Sequence, residues 1–304
     1  MSTQNTFVQS KGNKQYEIHF EGCSYAVIRQ VNPTRYKLVR GSSLRTLMQL
    51  PSSDLLRFCE RCFVNERPCT TENHWYMRRV LSFDPLPRLK SMPPAWLFSP
   101  WLMITSCIVA ISASFICQSI INLADTNPAL LTLWIVFNII VHESGHVLAC
   151  MHAGRSVGRC GLKLDYGLPM FFVDTADICM ANTKQRIATS LAGPYLNSAT
   201  LLCLCVAELA SGKLYLSLNY LSIAFIVGNL VPFLKLDGYF ILCDIISIPN
   251  LMTRSKRAFK MALTGQRAES GLLLYYCANL LFILLAMVSI GVTLCDTVFN
   301  VTPQ

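Results

Sequence analysis

The chain has 304 residues, 53% of them hydrophobic and only 14% charged, with a mean hydropathy of +0.42. Soluble domains carry about a quarter charged residues, so a purely soluble fold is excluded and the bilayer is the solvent for much of the chain. The net charge of +9 raises nucleic acid as a partner, but the placement of the charges, described below, follows membrane orientation, and no nucleic acid is expected.

The first residues, MSTQNTFVQSKGNKQ, contain no apolar core of the kind a secretory signal needs, so no cleavable signal peptide is expected. Residues 16–41 fall into short alternating runs (YEIHF, YAVIRQ, RYKLVRG), with Asn-Pro-Thr as a turn between two of them. Alternation bounded by turn residues predicts strands. Residues 42–65 read as helix, opened by Ser and Asp caps. Together they predict a small cytosolic α+β domain over 1–80, winged-helix-like in its mixture of strands and short helices. Cys59, Cys62, Cys69 and His74 have spacings that could hold a structural metal, although the second pair does not repeat the CxxC form. Residues 81–100 are rich in proline and amphipathic. They predict a linker along the membrane surface, with Trp96 and Trp101 at headgroup level.

From 101 to 304 the chain is mostly apolar. Five runs, roughly 101–121, 130–151, 187–210, 214–234 and 271–294, each approach the ~20 residues that a helix needs to cross a ~30 Å hydrocarbon core. Of 26 Lys and Arg, 14 lie in residues 1–100, five in 152–186 and five in 254–267. Alternate crossings put all of these on one side, together with Lys235, and only Lys213 on the other. Cationic loops stay in the cytosol, so the N-terminus is expected inside, the C-terminus outside, and the protein in the cell membrane as a multi-pass helical bundle. Between the second and third runs, GRCGLKLDYGLPMFFVDTADICM breaks its apolar stretches with Gly and Pro and predicts strands or a re-entrant hairpin.

The second run contains HESGH at 142–146. Residues four apart project from one face of a helix, so His142 and His146 can bind one Zn²⁺ while Glu143 is placed to act as a base toward the attacking water. A carboxylate and two imidazoles inside an apolar helix cost several kcal/mol unless paired or ligated, so they mark a functional site. A catalytic zinc takes three protein ligands. His152 has the spacing of the HExxHxxGxxH motif, but Ala149 stands where that motif has the glycine that turns the chain. Asp237, in NLVPFLKLDGYF, ends the fourth run, with Pro232 and Gly238 interrupting the helix around it. The alternation of crossings brings it to the depth of HESGH, which favours it as the third ligand.

HESGH in a membrane helix, AGPYLN at 192–197 and NLVPFLKLDGYF at 229–240, in that order and spacing, resemble the site-2 protease family of intramembrane metalloproteases. The wording of the last motif, with FVDTADICM upstream, is most similar to bacterial peptide zinc metalloproteases, which often accompany the maturation of ribosomally made peptides. The resemblance implies one catalytic Zn²⁺ on His142, His146 and Asp237, with Glu143 as the base. It further implies that Asn229 handles the substrate backbone near the metal, and that Asn197, Gly193, Pro194, Pro232 and Gly238 support the site. Lys235 departs from the proline common at that position in relatives. The N-terminal domain resembles, at the level of fold only, winged-helix domains that hold leader peptides.

The expectation is therefore a mainly α polytopic membrane protein with a site-2 protease-like core over 101–304. Its function would be hydrolysis of a membrane-associated or leader-bearing peptide, or of a single-pass membrane protein. Lipid and peptide-maturation or export machinery are its expected surroundings. The competing class is a non-enzymatic zinc-containing membrane protein of export, immunity or signalling, to which an intact base at Glu143 would be superfluous. Reporter fusions after Leu251 and at Gln304 should report opposite sides of the membrane; the cytosol at both would overturn the charge-derived topology.

Overall fold

The structure, a computed structural model, describes residues 6–11, 14–21, 25–30, 35–39, 41–50, 54–55, 58–59, 77–83, 93–124, 126–165 and 168–299. Within these, strands β1 (Thr6–Lys11), β2 (Lys14–Glu21), β3 (Tyr25–Gln30) and β4 (Arg35–Val39) form an antiparallel meander followed by helix α1 (Gly41–Gln49). The strand-then-helix order expected from the alternation is present. Side chains on a strand point alternately to its two faces, and both faces of this sheet are used. Tyr16, Ile18, Ala26 and Ile28 share one face and bury themselves with Leu47 of α1 and with Cys59. Cys62, Cys69 and His74 lie outside the described residues.

The opposite face carries Glu17, Val27 and Arg29. Glu17 and Arg29 are directly opposed across β2 and β3. Val27 packs against Met180, and Glu17 accepts two hydrogen bonds from the Arg155 guanidinium, both 3.1 Å. Arg155 also reaches Asp177 at 3.3 Å, and Arg29 reaches both Glu17 and Asp177 at 3.2 Å. Two cations and two carboxylates thus alternate in a closed, largely buried ring. Asp177 is held further by the Ser156 N–H and hydroxyl, both at 2.9 Å.

Strand β5 (Met77–Phe83) leads to a single 3₁₀ turn at Ala95–Phe98 and then to α2 (Pro100–Ile120). Pro100 suits the first turn, where its missing N–H costs nothing. Trp96 and Trp101 are 65% and 79% exposed, as befits side chains expected at headgroup level. The two-residue strand β6 (Asn122–Leu123) precedes α3 (Pro128–His152), which Asn127 caps by accepting from Ala129 N–H at 2.8 Å. Then come β7 (Cys160–Asp165) and β8 (Leu168–Val173), an antiparallel hairpin with β5 paired to the free side of β7. The Gly- and Pro-broken segment is therefore strand, as its sequence predicts.

Helix α4 (Thr183–Ser211) is opened by a capping box between Asn182 and Gln185 and closed by Gly212 in the left-handed conformation, φ 64°. Strand β9 (Lys213–Leu214) pairs with β6, which ties the ends of α2 and α4 together. Helix α5 (Leu216–Leu230) follows. Gly145 of α3 sits so close to the Ala192 carbonyl of α4 that a β-carbon there would collide with it. Small residues at such a crossing let backbones approach where no hydrophobic force drives helices together.

The chain divides into two compact units, residues 1–229 and 230–304. The second holds α6 (Asp237–Ile245), the amphipathic α7 (Leu251–Leu263) and α8 (Ser270–Phe299). Non-helical backbone joins the last residue of α5 to α6. Its carbonyls at Pro232 and Phe233 accept from Tyr275 Oη at 2.9 Å and Asn279 Nδ2 at 2.6 Å, both on α8. Broken backbone in an apolar setting needs such partners.

The protein is mainly helical, and among the described residues four helices are long and apolar enough to cross a membrane: α2, α3, α4 and α8. The fourth run, expected over 214–234, is helical only for the 15 residues Leu216–Leu230. That is about 22 Å at 1.5 Å per residue, short of a full crossing, because the chain leaves the helix ahead of Pro232.

The charged ring sets a pH dependence. Burial raises the Glu17 carboxyl, but the hydrogen bonds and charge of Arg155, then of Arg29, outweigh it and hold Glu17 below its ordinary 4.5. Burial likewise raises Asp177, and the Ser156 N–H, the Arg155 charge and the other contacts bring it below its ordinary 3.8. Carboxyls lowered on folding stabilise at pH above their ordinary values and lose that contribution as pH falls through the lowered ones. Attachment of the sheet to the 155–177 segment should therefore be constant above about pH 5 and weaken as pH falls below 4. Arg155→Ala should cost about 1.5–3 kcal/mol at neutral pH, read as faster hydrogen exchange in β2, β3 and 174–180.

Candidate metal centre

The centre begins with the geometry of α3. His142 and His146 lie one turn apart on it, and their rings meet edge to face with centroids 4.8 Å apart. Their Nε2 atoms stand 3.2 Å from each other. Two nitrogens bound to one tetrahedral Zn²⁺ at ~2.0–2.1 Å lie about 3.3 Å apart, so the pair already has the separation of two ligands on one ion.

The other ring nitrogens decide the tautomers. His146 Nδ1 is 2.8 Å from the Thr189 carbonyl. A carbonyl can only accept, so Nδ1 carries the proton and Nε2 keeps its lone pair. His142 Nδ1 is 2.7 Å from Asn197 Oδ1. The orientation of the Asn197 amide is fixed by the next link. Its Nδ2 donates to Asn138 Oδ1 at 2.9 Å and to the Asn138 carbonyl at 3.2 Å. Asn138 Nδ2 in turn donates to the Trp134 carbonyl at 3.0 Å, and Thr200 Oγ1 donates to Asn138 Oδ1 at 3.1 Å. The chain of donors ends on a backbone carbonyl and leaves no freedom. His142 also presents a lone pair at Nε2. With the Nε2 atoms of both rings 3.2 Å apart, the pair could share one cation, and the outer hydrogen bonds are those that orient metal-binding imidazoles.

Helix α4 supplies the space as well as the acceptors. A β-carbon on Gly193 would lie 2.5 Å from His142 Cε1 and 2.7 Å from Nε2 of both histidines. Gly193 is thus a clearance residue, and neighbouring Pro194 sits inside α4 with its carbonyl 3.7 Å from Cys107 Sγ of α2. Glu143 is half-buried on the turn between the two histidines.

His152 stands apart. Helix α3 runs unbroken through it, about 15 Å along the axis from His142, and its ring stacks on Phe98 with centroids 4.5 Å apart. Asn229, at the C-terminal end of α5, donates to the Phe225 carbonyl at 2.8 Å. Asp237 is the first residue of α6, and a β-carbon at Gly238 would collide with the Leu230 carbonyl. Asp237, Pro232 and Gly238 belong to the second unit; His142, His146, Gly193 and Asn197 are brought together within the first.

Sequence reasoning missed Asn138. It is a fully buried amide in an apolar helix, four residues before His142 and so on the same face, and a polar side chain in that setting is a signal.

The chain is a mainly helical protein with four helices able to cross a membrane, and α3 and α4 hold an imidazole pair whose spacing suits a divalent metal. Comparison with curated proteins points to a narrower class. The chain is similar to the Bacillus subtilis (strain 168) protein named "Putative peptide zinc metalloprotease protein YydH", with 29% identity over 150 residues, 47% of this chain and 58% of that one. The matched region therefore spans little more than half the relative's length. The likeness supports the peptide zinc metalloprotease branch that the motifs resemble. No protein-family model and no solved structure matches the chain.

Gly193→Ala should lower zinc content sharply, because its methyl would occupy the space before both Nε2 atoms. Asn197→Ala should weaken zinc about 10–100-fold through the freed His142 ring. Gly271→Ala, where an added β-carbon meets nothing within 4 Å, should leave zinc unchanged. Metal content of the purified variants by atomic absorption is the measurement.

Proposed function

We propose that this chain is an intramembrane zinc metalloendopeptidase of the site-2 protease type. It would hold one Zn²⁺ through His142, His146 and Asp237 and cut a membrane-associated or leader-bearing peptide. The observation that carries the reading is the pair of Nε2 lone pairs 3.2 Å apart, next to Glu143 in an apolar helix. A binding-only site would need the imidazoles but not the carboxylate. The name of the B. subtilis relative supports the same activity.

When bound, zinc supplies Lewis acidity toward the scissile carbonyl and acidifies water at the site. The residues of the chain do the rest. Glu143 takes a proton from the attacking water and returns it to the leaving amine. Asn197 and the Thr189 carbonyl keep the imidazoles oriented throughout. Asn229 holds the substrate backbone, a role carried over from the resemblance. Asp237 is assigned as third ligand on its motif, on the helix break that frees its backbone, and on the continuity of α3 through His152. Orientation with the N-terminus in the cytosol, and action beside peptide-maturation or export machinery, belong to the same proposal.

Glu143→Gln should keep the zinc content of the wild-type chain and lose cleavage of the co-expressed cognate peptide. Asp237→Ala should lose the zinc held by His142 and His146 and all activity, whereas His152→Ala should keep both. Wild-type cleavage by the Gln variant would remove Glu143 from the mechanism, and the opposite pattern for the Asp and His variants would reverse the ligand assignment.

A further inference from the structure

At the far end of α4 from the imidazole pair lies a second group of metal-ligating side chains. Glu208 is 11 residues beyond Asn197 on the same helix, about 16 Å further along the axis. It is fully buried, at 0% exposure, with Cys205 of the same helix at 3% and Cys117 of α2 at 2%. One oxygen of the carboxylate and the two sulfurs all lie within 4.8 Å of one another. They sit just inside the β6–β9 pairing, where α2 and α4 are tied together.

The two oxygens of Glu208 are not equivalent. Oε1 accepts from Tyr215 N–H at 2.8 Å and from Asn219 Nδ2 at 2.7 Å. The Asn219 amide is itself oriented, because its Oδ1 accepts from the Ser114 hydroxyl at 2.5 Å. Oε2 is buried and has no hydrogen-bond partner among the described residues. A buried carboxyl oxygen without a partner is costly, and intramembrane ionisable groups are kept for a reason. The nearby sulfurs do not serve it by hydrogen bonding: the Cys117 thiol faces the Cys205 carbonyl at a distant 4.0 Å.

Two thiols and a carboxylate form a donor set for a thiophilic d¹⁰ divalent ion. We propose that Cys117, Cys205 and Glu208 bind a second, structural zinc ion that locks α2 to α4 at the end of the bundle remote from His142. Ligands of one tetrahedral zinc at ~2.0–2.3 Å stand about 3.3–3.8 Å apart, so binding requires a small inward movement of side chains. The two thiol protons leave to solvent as the metal enters. Ser114 and Asn219 hold the carboxylate in place. This site is independent of the protease reading, since it uses none of its residues.

The test uses the full chain carrying His142→Ala and His146→Ala, purified in detergent under reducing conditions, with cadmium as the probe. One cadmium per chain should bind with a thiolate charge-transfer band and raise the thermal unfolding midpoint. Adding Cys117→Ser and Cys205→Ser should abolish that band and the rise. Adding Glu208→Gln instead, which keeps the shape and the hydrogen bonds to Oε1, should weaken cadmium at least about 10-fold. It decides the matter if the serine variant fails to fold. A band that survives the serine substitutions, an affinity unmoved by Glu208→Gln, or a Cys117–Cys205 disulfide in the purified protein would each overturn the site. Loss of cleavage in the histidine variants bears on the protease reading alone.

Discussion

Two imidazoles inside an apolar helix can present lone pairs to a metal only if both of their other nitrogens find acceptors, and in a bundle core no bulk water is present to provide them. That requirement governs the packing of the first unit. The acceptors are the Thr189 carbonyl and Asn197 Oδ1, both on α4, so α4 must run against the histidine face of α3 at close range. Close range demands small residues on both sides of the crossing. Gly145 meets the Ala192 carbonyl, and Gly193 meets the imidazoles themselves. The glycine and asparagine of AGPYLN are therefore two halves of one device: one makes room and the other orients. Asn138 extends the device back to α3 and anchors it on the Trp134 carbonyl.

Much of this was legible in the sequence. The HESGH helix was readable because an HExxH motif in an apolar run has little other meaning, and the strands at the N-terminus and around residues 160–173 were readable because alternation and Gly/Pro breaks are local signals. The ring of Arg29, Arg155, Glu17 and Asp177 was not. It joins residues as far apart as Arg29 and Asp177, and four ordinary charges on a sheet and a loop carry no mark of their partners. Helix α5 was overestimated because hydropathy continues past Leu230 although the backbone does not. Glu208 and Asn138 were overlooked inside long apolar runs, where a single polar residue barely moves an average yet matters most physically.

Two of the polar groups buried in α4, Asn197 and Glu208, differ in a way that chemistry makes plain. Around Asn197 every donor and acceptor is matched, and the chain of bonds ends on backbone. Around Glu208 one oxygen is saturated and the other is bare. A helix of 29 residues thus carries a settled site near its middle and an unsettled one toward its C-terminal end.

The ring of charges also has a consequence for biogenesis. Glu17 and Arg29 leave the ribosome early and can pair with each other across β2 and β3, but Arg155 follows Glu17 by 138 residues. At 5–20 residues per second, synthesis takes roughly 7–28 s to reach it, and α2 and α3 must be made in the meantime. During that interval the N-terminal sheet waits with one carboxylate half-neutralised and Val27 uncovered. Its final docking is thus a late event, timed by the insertion of the helix that bears the metal ligands, and a nascent chain stalled before residue 155 would present a folded sheet with nowhere to land.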